Sequence, residues 1–152
     1  MSSERARELI GIILVILQFA LLAVLGWQVV TNATGISIPS LVLLLGGVLL
    51  GLWALSANRP GNFNIRPQPK PGGKLIEKGP YHMIRHPMYL SVILVGLAAA
   101  LVSMQTVAWI CWAALVAVLA AKAILEEKAL LQQMPEYSQY RARTSRFLPG
   151  VF

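Results

Sequence analysis

Residues 88–125 read MYLSVILVGLAAALVSMQTVAWICWAALVAVLAAKAIL, and the way this stretch divides decides the fold. It is apolar over about twice the length a helix needs to cross a hydrocarbon core of roughly 30 Å. Its most polar point is Ser103-Met104-Gln105-Thr106. The stretch therefore reads as a tight helical hairpin with spans at 88–103 and 106–125.

Toward the N-terminus, two further blocks have spanning length. Residues 36–57 carry no charge, and residues 9–30 are interrupted only by Gln18 and Gln28. The first block is longer than a typical secretory signal core, lacks an obvious small-residue cleavage site and is followed almost at once by another span, so it reads as retained. The composition agrees. Of 152 residues, 57% are hydrophobic and 12% charged, against about 25% charged in soluble domains. The expectation is an all-α integral membrane protein in which residues 1–152 form one domain with four transmembrane helices.

The basic residues orient it, because Lys and Arg beside spans are retained on the cytoplasmic face. Arg5 and Arg7 precede the first span, and Arg59, Arg66, Lys70, Lys74, Lys78 and Arg85 lie between the second and third. Lys122, Lys128, Arg141, Arg143 and Arg146 end or follow the fourth. All 13 basic residues fall on one side of a four-span protein, which predicts a multi-pass topology with both termini and the polar loop cytoplasmic. The net charge of +7 is then a membrane-surface signature. Nucleic acid is not the expected partner, since the basic residues flank spans and form no aromatic-interleaved stripe.

Several functional classes lose support. No Asp, Glu, Arg or His lies within the spans away from their cytoplasmic ends, and such groups are the usual mark of proton-coupled transport. Cys111 is alone in an apolar span, so neither a disulfide framework nor a cysteine metal site is expected. His82 and His86 stand four apart, but Pro87 argues against a helix there and no third ligand is apparent, so no metal is expected. Gly46, Gly47 and Gly51 permit close helix packing without naming the partner.

Chemistry concentrates at two places. In the first, Pro87 bars His86 from helical geometry and suits the first helical position. A helix start there turns its N–H groups and positive dipole end toward the interface, where an anion is favoured. Arg85 and His86 sit just outside that start, with Tyr89 in the first turn. The plainer readings are a positive-inside Arg85 and an aromatic-belt Tyr89. In the second, a helix leaves the membrane carrying Lys122 and Glu126 one turn apart, which is also the pattern of a snorkelling lysine with an i,i+4 partner. The hairpin brings both places to one face.

The quoted residues resemble the membrane-embedded methyltransferases typified by isoprenylcysteine carboxyl methyltransferase and phospholipid N-methyltransferase. The resemblance covers about residues 73–149. Its carriers are Gly79-Pro80-Tyr81, Arg85-His86-Pro87-Met88-Tyr89, Glu126-Glu127 and the closing pattern Glu136-Tyr137, Tyr140-Arg141, Arg143, Arg146 and Pro149. It implies an S-adenosylmethionine site at the cytoplasmic ends of the helices, partly covered by the C-terminal segment. Carried over by position, the cofactor contacts are Gly73, Lys74, Leu75, Ile76, Tyr81, His86, Pro87, Met88, Tyr89 and Glu126. Glu126 would accept from a ribose diol or an ammonium group, the start at Pro87 would receive the methionine carboxylate, and Tyr81, Leu75 and Ile76 would flank the adenine.

Lys122, Glu126 and Arg85 are the residues expected to carry the transfer, with a lipophilic acceptor, either a prenylated carboxylate or a lipid amine. Two features depart from the family pattern. Lys122 stands where the isoprenylcysteine enzymes have an Arg, offering a point charge and no bidentate fork. Met134-Pro135-Glu136-Tyr137 is one residue shorter than the usual Phe-Gly-Glu-Glu-Tyr run. An NADPH-dependent reductase like the sterol reductases is the enzyme alternative, although those proteins have many more spans. A membrane assembly subunit is the non-enzyme one.

Overall fold

A computed structural model describes residues 3–58 and 75–150, so Arg59, Arg66, Lys70, Gly73 and Lys74 lie outside the described residues. Among the described residues five α-helices follow one another: α1 (Ser3–Asn32), α2 (Ile38–Ala57), α3 (Pro87–Ser103), α4 (Thr106–Gln133) and α5 (Tyr137–Arg143). A 3₁₀ turn, Gly79–His82, precedes α3. α1, α2 and α4 are long and apolar enough to cross a bilayer, and α3 is a shorter apolar helix of 17 residues, about 26 Å at 1.5 Å per residue.

Local chemistry sets the helix ends. Ser37 caps α2 in a reciprocal box with Ser40, and Pro39 occupies the first turn, where its missing N–H costs nothing. His86 precedes Pro87 at φ −124° and ψ 58°, outside the helical region, and α3 starts at Pro87. The hairpin turns where polarity peaks: Met104 ends α3 in the left-handed conformation and Gln105 is extended before α4. α4 then continues well past the apolar stretch. Ala, Leu, Lys and Gln favour helix as well in water as in lipid, and nothing breaks the run before Pro135.

Consecutive helices run antiparallel, and the polar segments share one end. Arg7 Nη1 donates to Gln132 Oε1 at 3.3 Å, tying the start of α1 to the end of α4. At the opposite end, Thr34 donates through N–H and hydroxyl to the Val102 carbonyl. α3 is central, with α2 packed along one side and α1 and α4 on the other. The α2–α3 contact answers the question left by the glycines. A Cβ on Gly51 would stand 2.6 Å from Ser91 Oγ, and one on Gly47 would stand 2.9 Å from Val95 Cγ2. That closeness lets Ser91 donate to the Gly47 carbonyl at 2.7 Å, a bond of about 0.6–1.7 kcal/mol within a membrane. Gly46 instead faces open space. Leu25, Ala100, Ala108, Leu115 and Leu119 form the α1–α3–α4 core, while Ile16, Leu49 and Ile110 stand exposed on outer faces as lipid contact requires.

Candidate active site at the polar end of the bundle

The approach to α3 is built on Gly79. Its φ is +61°, and a Cβ there would meet Ala57 Cβ at 2.8 Å and Trp53 Nε1 at 3.2 Å. Only glycine fits both the conformation and the space, so the 3₁₀ turn lies tightly on the end of α2. Tyr81 follows. Its main-chain carbonyl accepts from the Tyr140 hydroxyl at 2.7 Å. Burial, and next the nearby Glu126 carboxylate, raise the Tyr81 phenol to about 12. It therefore stays a neutral donor at physiological pH. Leu75 and Ile76 precede this turn, half-buried in irregular backbone.

The C-terminal segment lies against residues 83–86 like a single paired strand. Arg85 N–H donates to the Ser145 carbonyl at 2.9 Å, Ser145 N–H to the Met83 carbonyl at 3.1 Å, and His86 N–H to the Arg146 carbonyl at 3.2 Å. This strap is fastened by Glu127. Its side chain is 3% exposed and accepts from Arg85 Nε at 2.9 Å, from Arg146 Nε at 3.1 Å and Nη2 at 3.0 Å, with His86 Nε2 at 3.2 Å. Hydrogen bonding to Glu127 raises the Arg146 guanidinium further. Arg85 Nη1 donates to the carbonyls of Arg141 and Thr144, so the guanidinium of Arg85 joins α4, α5 and the strap. α5 adds buried Tyr137 and Tyr140, both phenols pushed upward chiefly by burial. At the rim, Arg143 pairs with Glu77 at 2.6 Å.

Glu126, one residue earlier, faces a different space. Its side chain is 31% exposed. Tyr89, in the first turn of α3, donates its hydroxyl to Oε2 at 3.0 Å, and His86 Nδ1 stands 3.7 Å from the same oxygen. Oε1 has no hydrogen-bond partner among the described residues. The His86 ring stacks on Tyr89 with centroids 5.2 Å apart and planes 6° apart, so Tyr89, His86 and Glu126 form one surface. Among the described residues no group of three His, Cys, Asp or Glu side chains could hold a metal.

Lys122 lies one turn deeper. It is 1% exposed and does not snorkel outward. Nζ donates to Gln18 Oε1 on α1 at 2.5 Å and stands 5.2 Å from the centroid of the Tyr89 ring. Lys122, Tyr89, Glu126, His86 and Tyr81 thus come together at the polar end, with Pro87 and Met88 opening α3 beside them. Arg85 lies behind, on the Glu127 side. The roles of Glu127, Tyr140 and Thr144 as strap fasteners, and of Gln18 as partner to Lys122, were not drawn from the sequence. The available signals were a second carboxylate directly after Glu126 and, in Gln18, one of the two amides that interrupt an otherwise apolar span.

The sequence model of the isoprenylcysteine carboxyl methyltransferase family matches residues 40–133, from the first turn of α2 to the end of α4 and more than half of the chain. No curated protein matches the chain.

Proposed function

Since the chain belongs to the isoprenylcysteine carboxyl methyltransferase family, a family of membrane methyltransferases, we propose that it transfers a methyl group from S-adenosylmethionine to a lipophilic acceptor at the cytoplasmic membrane face. The observation that carries the reading is Glu126: a part-exposed carboxylate with one oxygen fixed by Tyr89 and the other without a hydrogen-bond partner among the described residues. Such an oxygen suits a ribose diol or an ammonium group. The neighbouring donors fit the rest of the cofactor. A neutral Tyr81 with Leu75 and Ile76 gives an amphipathic wall for adenine, and the α3 start beside His86, Pro87 and Met88 offers a positive dipole end to a carboxylate. Gly73 and Lys74 are proposed as further cofactor contacts on family resemblance alone.

S-adenosylmethionine supplies a methyl carbon on a sulfonium, so transfer breaks the S–CH₃ bond, joins the methyl to an acceptor electron pair and leaves S-adenosylhomocysteine. Such an in-line displacement asks the protein chiefly for alignment and exclusion of water. Lys122 orients an acceptor beside Tyr89, and the strap fastened by Glu127 shields the site. Arg85 acts through Glu127 as a positioning residue. A prenylated carboxylate or a lipid amine would reach the site from the bilayer, where both concentrate.

Calorimetric titration with S-adenosylhomocysteine tests the cofactor assignment. Binding is expected, and Glu126→Ala, a change at a part-exposed position, should weaken it at least tenfold, since a hydrogen bond to a charged group contributes about 1.5–3 kcal/mol. Undiminished binding rejects the site. Methylation of a host lipid extract with labelled cofactor tests the acceptor class; label found only on water-soluble molecules rejects a lipophilic one.

A further inference from the structure

α1 reaches the polar end of the bundle through one buried polar residue. Gly11, Gln18 and Leu25 are buried on α1, seven apart, and so share one face, the one packed against α3 and α4. Gly11 and Leu25 are what an apolar seam requires. Gln18 is not, because an amide removed from water is unfavourable there without a hydrogen-bond partner. Its partner is Lys122, whose Nζ donates to Oε1 at 2.5 Å.

Lys122 is equally unusual. None of the ion pairs among the described residues includes it. A buried ammonium normally requires a carboxylate, whereas this one has an amide oxygen on one side and the face of Tyr89 on the other. Both neighbours favour a cation without neutralising it. The result is a buried amine held in one place beside Tyr89 and one turn below Glu126. α1 lies outside the residues matched by the family model, so family membership assigns nothing to Gln18.

We infer that Gln18 is a positioning residue, whose side-chain carbonyl aims the Lys122 ammonium at the methyl acceptor. The inference rests on the proposed methyltransferase function and on the role given there to Lys122. It differs from a plain tie between α1 and α4. A tie needs only some bond between the two side chains, while aiming needs the bond to leave the charge available.

The test is a double-mutant cycle on the purified full chain in lipid nanodiscs. Initial rates are taken with S-farnesyl-N-acetylcysteine as carboxylate acceptor and phosphatidylethanolamine as amine acceptor, or with the lipid extract if neither is methylated. Gln18→Ala is expected to lower kcat/KM for the acceptor about tenfold, the loss of one charge-assisted hydrogen bond, with S-adenosylhomocysteine affinity within twofold of wild type. In a Lys122→Met background the same change should have no further effect, because there is no ammonium left to aim. Gln18→Glu keeps the bond and the fold but places a counter-charge on the ammonium, so turnover of the carboxylate acceptor should fall below that of Gln18→Ala. A plain tie predicts that Gln18→Glu retains full turnover. Wild-type turnover in Gln18→Ala or Gln18→Glu, or additive losses in the cycle, overturns the inference alone. A wild-type protein without cofactor binding or without transfer breaks the functional reading, and the inference with it.

Discussion

Glu126 and Glu127 are adjacent on α4 yet stand in opposite surroundings. Glu127 is 3% exposed and is held by Arg85, His86 and Arg146. Glu126 is 31% exposed and, among the described residues, accepts one hydrogen bond, from Tyr89. Successive residues on a helix point about 100° apart. One residue of offset therefore separates a carboxylate turned toward the strap from a carboxylate turned toward the open site. The first holds structure because its acceptor capacity is filled by protein. The second is the proposed ligand contact because one of its oxygens has no hydrogen-bond partner among the described residues.

The largest expected effect lies on the structural side. Glu127→Ala would leave the buried Arg85 without its carboxylate and Arg146 without both of its bonds to it, and removing one partner from a buried ion pair costs about 3–5 kcal/mol. Thermal unfolding in detergent should show that loss. Proteolysis should cut first in residues 137–150, which are fastened by the same carboxylate. Glu126→Ala should leave stability within about 0.5 kcal/mol, the usual range for changes away from such features. Equal destabilisation by the two variants would break the comparison.

A smaller effect probes the open side. Tyr89→Phe keeps the ring that stacks on His86 and faces Lys122 but deletes the donor to Glu126. One hydrogen bond contributes about 0.5–1.5 kcal/mol, so S-adenosylhomocysteine affinity should fall about two- to tenfold with the melting temperature little changed. A melting loss as large as that of Glu127→Ala would mean that Tyr89 and Glu126 also serve the fold, and the division between the two carboxylates would be false.

The sequence made the frame legible because lipid imposes simple rules. Apolar length located the helices, Pro87 located the start of α3, and the polar point at 103–106 located the hairpin. α4 runs on to Gln133, eight residues past the apolar end at 125, since loss of apolarity marks the membrane boundary and not the helix boundary. The candidate site was legible as a neighbourhood only in that Tyr81, His86, Tyr89, Lys122 and Glu126 lie together at one end. Its internal division was not. Whether Glu126 or Glu127 faces the strap depends on what packs against α4, and the strap is known only once Ile84 and Ser145 are seen paired. The bond from Lys122 to Gln18 joins residues 104 apart, beyond any local pattern. The same holds for Arg85, which the sequence sets beside His86 while its Nε and Nη1 turn to Glu127, Arg141 and Thr144.

The smallest effect belongs to the third acidic partner, Glu77. Its pair with Arg143 is short at 2.6 Å, but the two side chains are 42% and 57% exposed. Water and salt compete at such a site, and exposed pairs contribute about 0–1 kcal/mol. Arg143→Ala should therefore shift unfolding by under about 1 kcal/mol, including the loss of its contact with the Tyr140 ring. Salt separates this pair from the buried one. At about 1 M salt the screening length is about 3 Å, so Arg143→Ala and Glu77→Ala should become nearly indistinguishable from wild type. The loss in Glu127→Ala should persist, because solvent ions do not reach a carboxylate enclosed by α4 and the strap. If salt erased that loss as well, Glu127 would be an ordinary surface charge and the strap would need another fastening.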